Sequence, residues 1–353
     1  SPVHDNIGNE IVWNGTGTTA IFVNNKEYTD LVPAFDWYRY PGTTAPYEKV
    51  FGKKGGYQSK SGFVGGVSDG MYGASVFLQK DILNTQANKG YFYFDDEMVC
   101  LGNGITSTRD SSVNTTINQA VAKENASVDG EALQKGSDGV EYVNPKWAYN
   151  DEIGYVFPTD ATVKFSNKDQ TSNWIDEPSV TRQAFTAYFD HGVKPEDGSY
   201  AYIVVPGKTA DEVKAYSQNI PVTIVANNAA VQAVRHDGLK QTQVIFYQAG
   251  TLEYAPGKTV SADYPCLILI DESGAEPVLS ISAPSAAANQ KVNVKLNTGD
   301  KESVTSILGR ETPYNGMPEE KLALGDDLVH ESSSAQAGFP ARNATDGDDT
   351  TLW

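Results

Sequence analysis

Cysteine is almost missing from this 353-residue sequence, which contains two residues of that type and no Cys-x-x-Cys pair. A disulfide framework and a thiolate metal site are therefore not expected. Cys100 and Cys266 each lie in an apolar run, MVCLG and YPCLILI. Because free cysteine is among the most buried residue types, we predict two buried free thiols rather than a disulfide between them.

Positive charge is also scarce. Lys and Arg total 27 against 45 for Asp and Glu, and the formal net charge is −18. Such a charge repels nucleic acid and anionic membranes at long range, so neither is expected as a partner. A polyanionic glycan would need a local basic patch, and the pair Lys53 and Lys54 is too small to form one. The acidic excess is typical of an extracellular protein that its charge keeps in solution.

Long apolar runs are missing as well. No segment reaches the roughly 18 apolar residues that a membrane-spanning helix needs. The first residues, SPVHDNIGNE, do not form a signal peptide and include no initiator methionine. We therefore expect no membrane span and expect the chain to begin at an excision point.

Extended helical periodicity is rare, and short strand patterns take its place. β-branched and aromatic residues recur between clusters of Gly, Pro, Asn and Asp, as in short antiparallel strands. Segments with this pattern are residues 20–23, 74–78, 90–94, 151–157, 162–165, 182–189, 200–205, 222–225, 243–247, 266–270, 278–281 and 292–296. The clearest helical candidate is TADEVKAY at residues 209–216. The sequence predicts an all-β fold of packed antiparallel sheets, with boundaries near Pro221 and within residues 299–318.

The most informative segment of the sequence is an ordered run of glycines, aromatics and acids at residues 63–105, FVGGVSDGMYGASVFLQKDILNTQANKGYFYFDDEMVCLGNGI. It belongs to a longer ordered series. The other segments of the series are EYTDLVPAFDWYRYPGTT (27–44), NTTINQ (114–119), IGYVFP (153–158), HGVKPEDGSYAYIVVPG (191–207), VQAVRHDGLKQTQVIFYQAG (231–250) and YPCLILI (264–270). Together they resemble polysaccharide lyase family 8, the chondroitin, hyaluronate and xanthan lyases. The spellings NTTINQ and VCLGNGI resemble those of the chondroitin AC lyases more than those of the other two.

The resemblance implies three parts. These are a large antiparallel multi-sheet β-sandwich domain (1–218), a smaller antiparallel β-sandwich domain (219–305) and a final segment (306–353). It also implies β-elimination at a uronic acid by a bacterial enzyme that is secreted to the exterior or the periplasm. In this family the catalytic Tyr, Asn, His and Arg side chains are understood to lie mainly on an N-terminal helical toroid. This chain is expected to complete the substrate cleft of such a toroid and to be inactive alone.

One catalytic candidate follows from the resemblance. The β-domain of chondroitin AC lyases is thought to add a Glu and, three residues later, an Asn at its start. Here Val3 stands in the position of the Glu and Asn6 in that of the Asn. Asn6 is therefore the candidate catalytic residue. Asn9 is the alternative, because a gap of a residue or two would shift the match.

One metal candidate follows in the same way. Some chondroitin AC lyases hold a structural calcium through two acids spaced two apart and an Asp-Tyr pair nine residues beyond the second. Oxygen ligands are those that calcium prefers. Asp36 matches the first acid, whereas Tyr38, Tyr47 and Glu48 stand at the later positions. Asp36 is thus the candidate ligand, the departure argues against the calcium, and no cofactor is expected to be required.

The last residues resemble the opening of a discoidin-like (F5/8 type C) carbohydrate-binding module, with its pattern A-x-x-A-x-DG-D-x-x-T-x-W. The matching positions are Asn343, Asp346, Gly347, Asp348, Thr351 and Trp353. A β-sandwich of this kind needs more than about 100 residues to close. We therefore expect residues 306–353 to form a linker and the truncated start of a module, which neither folds nor binds alone.

Other polar residues are more simply interpreted as structural. Asp95, Asp96 and Glu97 alternate in direction along a strand and cannot converge on one site, so we predict a solvated strand end. His191 and His236 lack a partner pattern and are predicted to be structural or surface residues. Core positions are predicted for Trp13, Trp37, Trp147 and Trp174.

Two function classes remain open. In the first, the chain is the non-toroid part of an extracellular lyase that cleaves uronic-acid-containing polysaccharide, with chondroitin or hyaluronan favoured and xanthan the alternative. In the second, it is a carbohydrate-binding or scaffolding β-protein that retains the lyase architecture without catalysis. Fold alone does not separate them. A helical toroid with the Asn, His and Tyr set in the same protein would decide for the enzyme.

Overall fold

The computed structural model describes residues 17–29, 31–48, 59–172 and 179–309, together with short strands at 320–323 and 329–330. These residues are mostly β-strands, as the sequence predicts. The helical elements of the described part are one α-helix, α1 (Ala210–Gln218), and two 3₁₀ helices, Val32–Ala34 and Trp37–Arg39. No helix among them is both long and apolar enough to cross a membrane.

The strands alternate with short turns along the whole described chain. The first fourteen are β1 Thr44–Pro46, β2 Val64–Ser68, β3 Gly73–Ile82, β4 Thr85–Tyr93, β5 Met98–Ser107, β6 Ser112–Val121, β7 Ser127–Val128, β8 Glu131–Ala132, β9 Ser137–Val143, β10 Trp147–Asn150, β11 Ile153–Val156, β12 Thr162–Ser172, β13 Val180–Val193 and β14 Gly198–Pro206. The others are β15 Val222–Asn227, β16 Val231–His236, β17 Gln241–Phe246, β18 Gly250–Ala255, β19 Lys258–Ala262, β20 Cys266–Asp271, β21 Val278–Ser282, β22 Lys291–Asn297, β23 Glu302–Leu308, β24 Glu320–Ala323 and β25 Val329–His330.

The described chain forms two compact units. The first contains the described residues up to Gly62, then Val76–Pro221 and Asn227–Ala229. The second contains Phe63–Ser75, Val222–Ala226 and the described residues from Ala230 onwards. The sequence predicts domains that are consecutive along the chain, with residues 63–75 inside the first. In the structure, Phe63–Ser75 belongs to the second unit.

Two antiparallel sheets pack face to face in the first unit. One has the strand order β1-β6-β13-β12-β9, and in the other the strands follow as β3-β4-β5-β14-β11-β10-β7-β8. The core between them is rich in aromatic residues: Tyr91, Tyr155, Phe157, Phe165, Phe185, Phe189, Tyr200 and Tyr202. Burial of these rings is the main source of stability in such a sandwich. The predicted multi-sheet β-sandwich is confirmed.

The second unit is a smaller sandwich with the sheet orders β15-β16-β17-β20-β21-β24-β25 and β18-β19-β22-β23. Its core is mainly aliphatic, with Ile268, Ile270, Leu279, Val292, Val294 and Leu296 packed around the aromatic ring of Phe246. The other face of β17 carries Gln241 and Gln243, both buried. The side-chain Nε2 of Gln241 donates to Asp69 Oδ2 at 2.7 Å, so the hairpin at Phe63–Ser75 satisfies a buried polar group that would otherwise be costly.

Helix α1 begins where the sequence predicts. Thr209 caps it, since its Oγ1 accepts from the Glu212 amide at 3.3 Å while Glu212 Oε2 accepts from the Thr209 amide at 2.8 Å. This reciprocal capping box stabilises a short helix. Val213 is the buried residue of the helix.

Residues 20–23 do not form the strand that their composition predicts. The Ile21 amide donates to the Tyr28 hydroxyl at 3.0 Å, and the Val23 amide donates to Glu27 Oε1 at 2.6 Å. Side chains a few residues later thus take the donors that a strand would offer to a neighbour. The segment is a loop closed on itself.

Candidate functional site

The leading segment, residues 17–29 and 31–48, lies along strand β6. Its strand β1 pairs with β6 in the register Thr44↔Thr115, and the Val121 amide donates to the Glu27 carbonyl at 2.8 Å. Every residue from Val113 to Ala120 is buried. Strand β6 is therefore covered on both faces, and the leading segment covers one of them.

Asn118 links the leading segment to the core. Its Oδ1 accepts from the Tyr28 hydroxyl at 3.0 Å, and its Nδ2 donates to the Tyr155 hydroxyl at 2.6 Å. Asn118 and Tyr155 are fully buried. Buried hydroxyl and amide groups are costly without partners. These two hydrogen bonds therefore explain the second Asn of the motif NTTINQ, which is Asn118.

Gln119 links strand β6 to the turn at Asp36. Its Oε1 accepts from the Asp36 amide at 2.8 Å, while its Nε2 donates to the carbonyls of Asp36 at 3.0 Å and Arg39 at 2.8 Å. One buried side chain thus satisfies three backbone groups at the two ends of a single 3₁₀ turn. Strand β6 therefore holds this turn in place, in addition to the turn's own hydrogen bond from the Arg39 amide to the Asp36 carbonyl.

Arg39 is enclosed by aromatic and acidic side chains. Its guanidinium carbon lies 3.9 Å from the ring centre of Tyr47 and 4.0 Å from that of Tyr188. The guanidinium also pairs with Asp36 Oδ2 at 3.3 Å and donates through Nε to Asn114 Oδ1 at 3.1 Å. The Arg39 side chain is 12% exposed, so these contacts occur with little solvent screening.

Both carboxylate oxygens of Asp36, the predicted metal ligand, accept hydrogen bonds from neighbouring groups of the protein. Its Oδ1 accepts from the Tyr38 amide at 3.1 Å, and its Oδ2 accepts from the Tyr47 hydroxyl at 3.2 Å and from Arg39. Burial, followed by the nearby Asp36 charge, raises the pKa of Tyr47 to about 12, so its hydroxyl is protonated and donates. Glu48 instead pairs with Arg109. These side chains do not fit a calcium ion, and no group of three His, Cys, Asp or Glu residues in the described part could hold a metal.

Several sequence predictions lie outside the described residues. Asn6, its alternative Asn9 and the neighbouring Val3 are among them. The same holds for the pair Lys53 and Lys54, for Trp13 and Trp174, and for the discoidin-like pattern at the C-terminal end. These remain predictions.

Lys89 is a fully buried lysine that no sequence pattern singles out. Its Nζ donates to the Gly17 carbonyl at 3.1 Å and to the Gly42 carbonyl. The Tyr91 hydroxyl also donates to the Gly17 carbonyl, at 3.2 Å. Burial lowers the pKa of Lys89 to about 7. This side chain joins two distant points of the leading segment, so it fixes the path that the chain takes immediately after residue 16.

The histidines have the structural roles that the sequence predicts. His191 Nε2 lies 2.8 Å from Thr115 Oγ1, and its ring stacks on Phe189 at a centroid distance of 6.5 Å. Burial lowers the pKa of His191 to about 4, which keeps the ring neutral in ordinary buffers. His236 Nδ1 accepts from the Leu239 amide at 3.1 Å and closes the turn between β16 and β17.

The acidic cluster at Asp95 departs from prediction at one residue. Asp95 and Asp96 are exposed in the turn after β4, as expected, and Asp96 pairs with Lys208 at 3.2 Å. Glu97, however, is only 5% exposed. Burial, followed by the charges of Asp96 and Asp95, raises the pKa of Glu97 to about 7. The solvated strand end is therefore wrong for Glu97, because the chain turns back into β5 directly after it.

Glu97→Gln tests that assignment. Between the unfolded pKa near 4.5 and the folded pKa of about 7, the folded state retains a proton that the unfolded state loses, so stability falls as the pH rises. At pH 8 the variant should exceed the native chain in free energy of unfolding by about 3 kcal/mol, and at pH 4 the two should agree. Urea unfolding at both pH values measures this. Exposed Glu131→Gln is the control, and equal effects of the two substitutions would contradict the assignment.

The thiols and tryptophans follow the sequence-based expectations within the described part. Cys100 and Cys266 are free and buried, and burial raises the pKa of Cys100 to about 12. Trp37 and Trp147 are buried as predicted.

Comparison with known families identifies the chain. The sequence model of the polysaccharide lyase family 8 super-sandwich domain matches residues 8–217. The chain belongs to polysaccharide lyase family 8. The model of the family 8 C-terminal β-sandwich domain also matches, over residues 223–291.

The family 8 relatives include enzymes with different substrates in their names. The chain is 35% identical to a chondroitinase-AC of Pedobacter heparinus, over 76% of this chain and 39% of the relative. It is 31% identical to a hyaluronate lyase of Thermasporomyces composti, over 74% and 35% respectively. It is also 31% identical to a xanthan lyase of Bacillus sp., over 80% and 32%. The chain thus spans between about a third and two fifths of the length of these relatives.

A solved family 8 structure shows the same fold. A chondroitinase AC lyase, determined in complex with oligosaccharides, superimposes with a TM-score of 0.78 at 30% identity. The match covers 88% of this chain and 47% of that structure.

Within this fold, the family spelling VCLGNGI falls on β5. A Cβ placed on Gly102 would overlap the ring of Tyr200, and Gly104 has φ +59°. Gly102 permits the close approach of Tyr200, and Gly104 permits a positive φ within a strand.

Proposed function

We propose that this chain is the β-sandwich part of an enzyme that cleaves uronic-acid-containing polysaccharide by β-elimination. Chondroitin or hyaluronan is the favoured substrate, and xanthan is the alternative. The observation that carries the proposal is the alignment of 76% of this chain with a chondroitinase-AC at 35% identity. Conservation of fold alone would not be sufficient, since one fold hosts many activities.

The reaction needs two kinds of protein group. A base removes the C5 proton of the uronate, and the electrons then expel the C4 oxygen of the glycosidic bond, which is protonated as it leaves. Donors or cations at the uronate carboxylate stabilise the negative charge that develops. The product is a sugar with a double bond between C4 and C5, and no water molecule is consumed.

This chain is proposed to position one such donor. Asn6, or Asn9 in its place, would hydrogen-bond the uronate carboxylate. Both residues precede the leading segment, whose path is fixed by Lys89, Asn118 and Gln119. The fixed path begins at Gly17, and a positioning role requires that a catalytic donor be held within a fraction of an ångström. The helical toroid that the family resemblance implies is the proposed partner and would carry the base.

The proposed location is outside the cytoplasm, either extracellular or periplasmic. Polysaccharides of this class are polymers that do not cross a bilayer, so an enzyme that depolymerises them must meet them outside. The net charge of −18 is compatible with a protein kept in solution there.

The test compares the whole protein with this chain on chondroitin, hyaluronan and xanthan. We expect the whole protein to release products with the ultraviolet absorbance of an unsaturated uronate, and this chain alone to release none. In the whole protein, alanine at the catalytic Asn should lower kcat by about 100-fold or more, as loss of a transition-state donor does elsewhere. Asn6→Ala and Asn9→Ala are compared, and Asn219→Ala, at the exposed end of α1, is the control.

Two results would contradict the proposal. Binding of polysaccharide by the whole protein without cleavage would favour the non-catalytic carbohydrate-binding alternative. Undiminished kcat in both Asn6→Ala and Asn9→Ala would remove the assigned role of this chain in the cleft.

A further inference from the structure

We propose that Arg39 is the built-in cation of the leading segment and that the turn at Asp36 is therefore independent of calcium. The proposal concerns the fold of this chain and does not depend on its activity. It starts from the disagreement between the calcium pattern of the family resemblance and the side chains that surround Asp36.

The guanidinium contacts a different kind of group in each direction. Its central carbon lies over the rings of Tyr47 and Tyr188, at 3.9 and 4.0 Å from the ring centres. Its edge meets Asp36 Oδ2 at 3.3 Å and Asn114 Oδ1 at 3.1 Å. Aromatic faces attract a planar cation, whereas they offer no oxygen to a metal. The enclosure is therefore built for a guanidinium.

The carboxylates around this turn are already paired with side-chain cations. The pairs are Asp36 with Arg39, Asp190 with Lys164, Asp138 with Lys168, and Glu48 with Arg109. Calcium takes six to eight oxygen ligands, usually with several carboxylates among them. To bind here, it would have to displace Arg39 from an enclosure in which that side chain is 12% exposed.

The phenol of Tyr47 further distinguishes this turn from a metal site. Tyr47 donates its hydroxyl hydrogen to Asp36 Oδ2 at 3.2 Å while its ring face covers Arg39. The hydrogen points at the carboxylate oxygen that a metal would use. Tyr47 thus stabilises the Asp36 carboxylate through a hydrogen bond and covers the guanidinium that neutralises its charge.

The first experiment measures the thermal unfolding of the native chain and of Asp36→Asn, each with EDTA and with millimolar calcium chloride. We expect the calcium-dependent change in Tm to be the same in both proteins, within about 1 °C. A rise in Tm on calcium addition that is several degrees larger in the native chain than in Asp36→Asn would overturn the proposal. The comparison cancels any calcium effect elsewhere in the chain.

The second experiment removes the cation. Arg39→Ala should lower the Tm by roughly 4 to 8 °C, because the partly buried Asp36 carboxylate then keeps its hydrogen bonds from Tyr38 and Tyr47 but loses its cation. Methylguanidinium at millimolar concentration should recover part of that loss, and calcium should not. Arg39→Lys should lose stability as well, since an ammonium lacks the plane and the Nε donor. Arg182→Ala, which removes an exposed arginine from β13, is the control.

An unchanged Tm in Arg39→Ala, or recovery by calcium as complete as by methylguanidinium, would overturn the assignment. If Arg39→Ala does not fold, Arg39→Lys and the calcium response of the native chain still decide the question. A folded Arg39→Lys variant with the Tm of the native chain would contradict the role of the planar guanidinium.

Discussion

Gly102→Ala is expected to lower the Tm of the first unit by roughly 6 to 12 °C, corresponding to about 3 kcal/mol. The added methyl group would overlap the ring of Tyr200. That ring is held in a buried aromatic stack, 5.7 Å from Phe189 and 5.8 Å from Tyr202 between ring centres. Because its neighbours are also rings, Tyr200 has no empty space to occupy, and the core must expand. Thermal unfolding followed by circular dichroism measures the change.

A matched substitution separates this clash from the general effect of replacing glycine. A Cβ at Gly62 meets nothing within 4 Å, so Gly62→Ala should change the Tm by no more than about 2 °C. In a Tyr200→Leu background, Gly102→Ala should cost much less than in the native chain. An equal cost in both backgrounds would show that the Tyr200 ring is not the cause.

Asn118→Leu is expected to lower the free energy of unfolding by about 3 kcal/mol. The substitution conserves shape but leaves the hydroxyls of Tyr28 and Tyr155 without their amide partner, and each lost buried hydrogen bond costs about 1–3 kcal/mol. The Tyr28 hydroxyl keeps one contact, from the Ile21 amide, which is why we expect less than the full sum. Urea unfolding measures the change.

A double-mutant cycle isolates the contact with the core. In a Tyr155→Phe background the hydroxyl that Asn118 satisfies is absent, so Asn118→Leu should cost at least about 1 kcal/mol less. Tyr142→Phe, a ring of the same core whose centre lies 5.4 Å from that of Phe165, is the control background. If the cost of Asn118→Leu is the same in all backgrounds, the link between leading segment and core is not made through Tyr155.

The strands were predictable where both the local pattern and the pairing agreed. Residues 200–205 and 266–270 are apolar, β-branched or aromatic, and both lie within observed strands, β14 and β20. Residues 20–23 have similar composition but form a loop, because Glu27 and Tyr28 accept their amide hydrogens. Composition describes the side chains of a segment, whereas a strand also requires a neighbour to which its backbone can donate.

The hairpin at Phe63–Ser75 shows a second limit. Its glycines and aromatics predict β-structure, which is confirmed, yet it belongs to the second unit although the chain before and after it belongs to the first. The side chains that receive it include Gln241, which lies far along the chain. Local pattern carries no information on such distant contacts.

The site was less predictable than the fold. Asp36 was a candidate through the family resemblance, but its partner Arg39 was not, although the run DWYRY places an arginine among aromatic residues. That combination is a usable signal for a cation–π enclosure. Lys89 and Glu97 had no such signal in the sequence. Lys89 is buried where it meets the carbonyls of Gly17 and Gly42, and Glu97 is buried where the chain turns into β5. Burial of a charged residue is a tertiary property.

The mass of the products that the whole protein releases tests the proposed β-elimination most directly. Products from chondroitin or hyaluronan should be one water lighter at the new non-reducing end than the corresponding hydrolysis products, and should absorb in the ultraviolet. This follows because elimination forms a C4–C5 double bond and consumes no water. Saturated products that have gained one water would contradict the account.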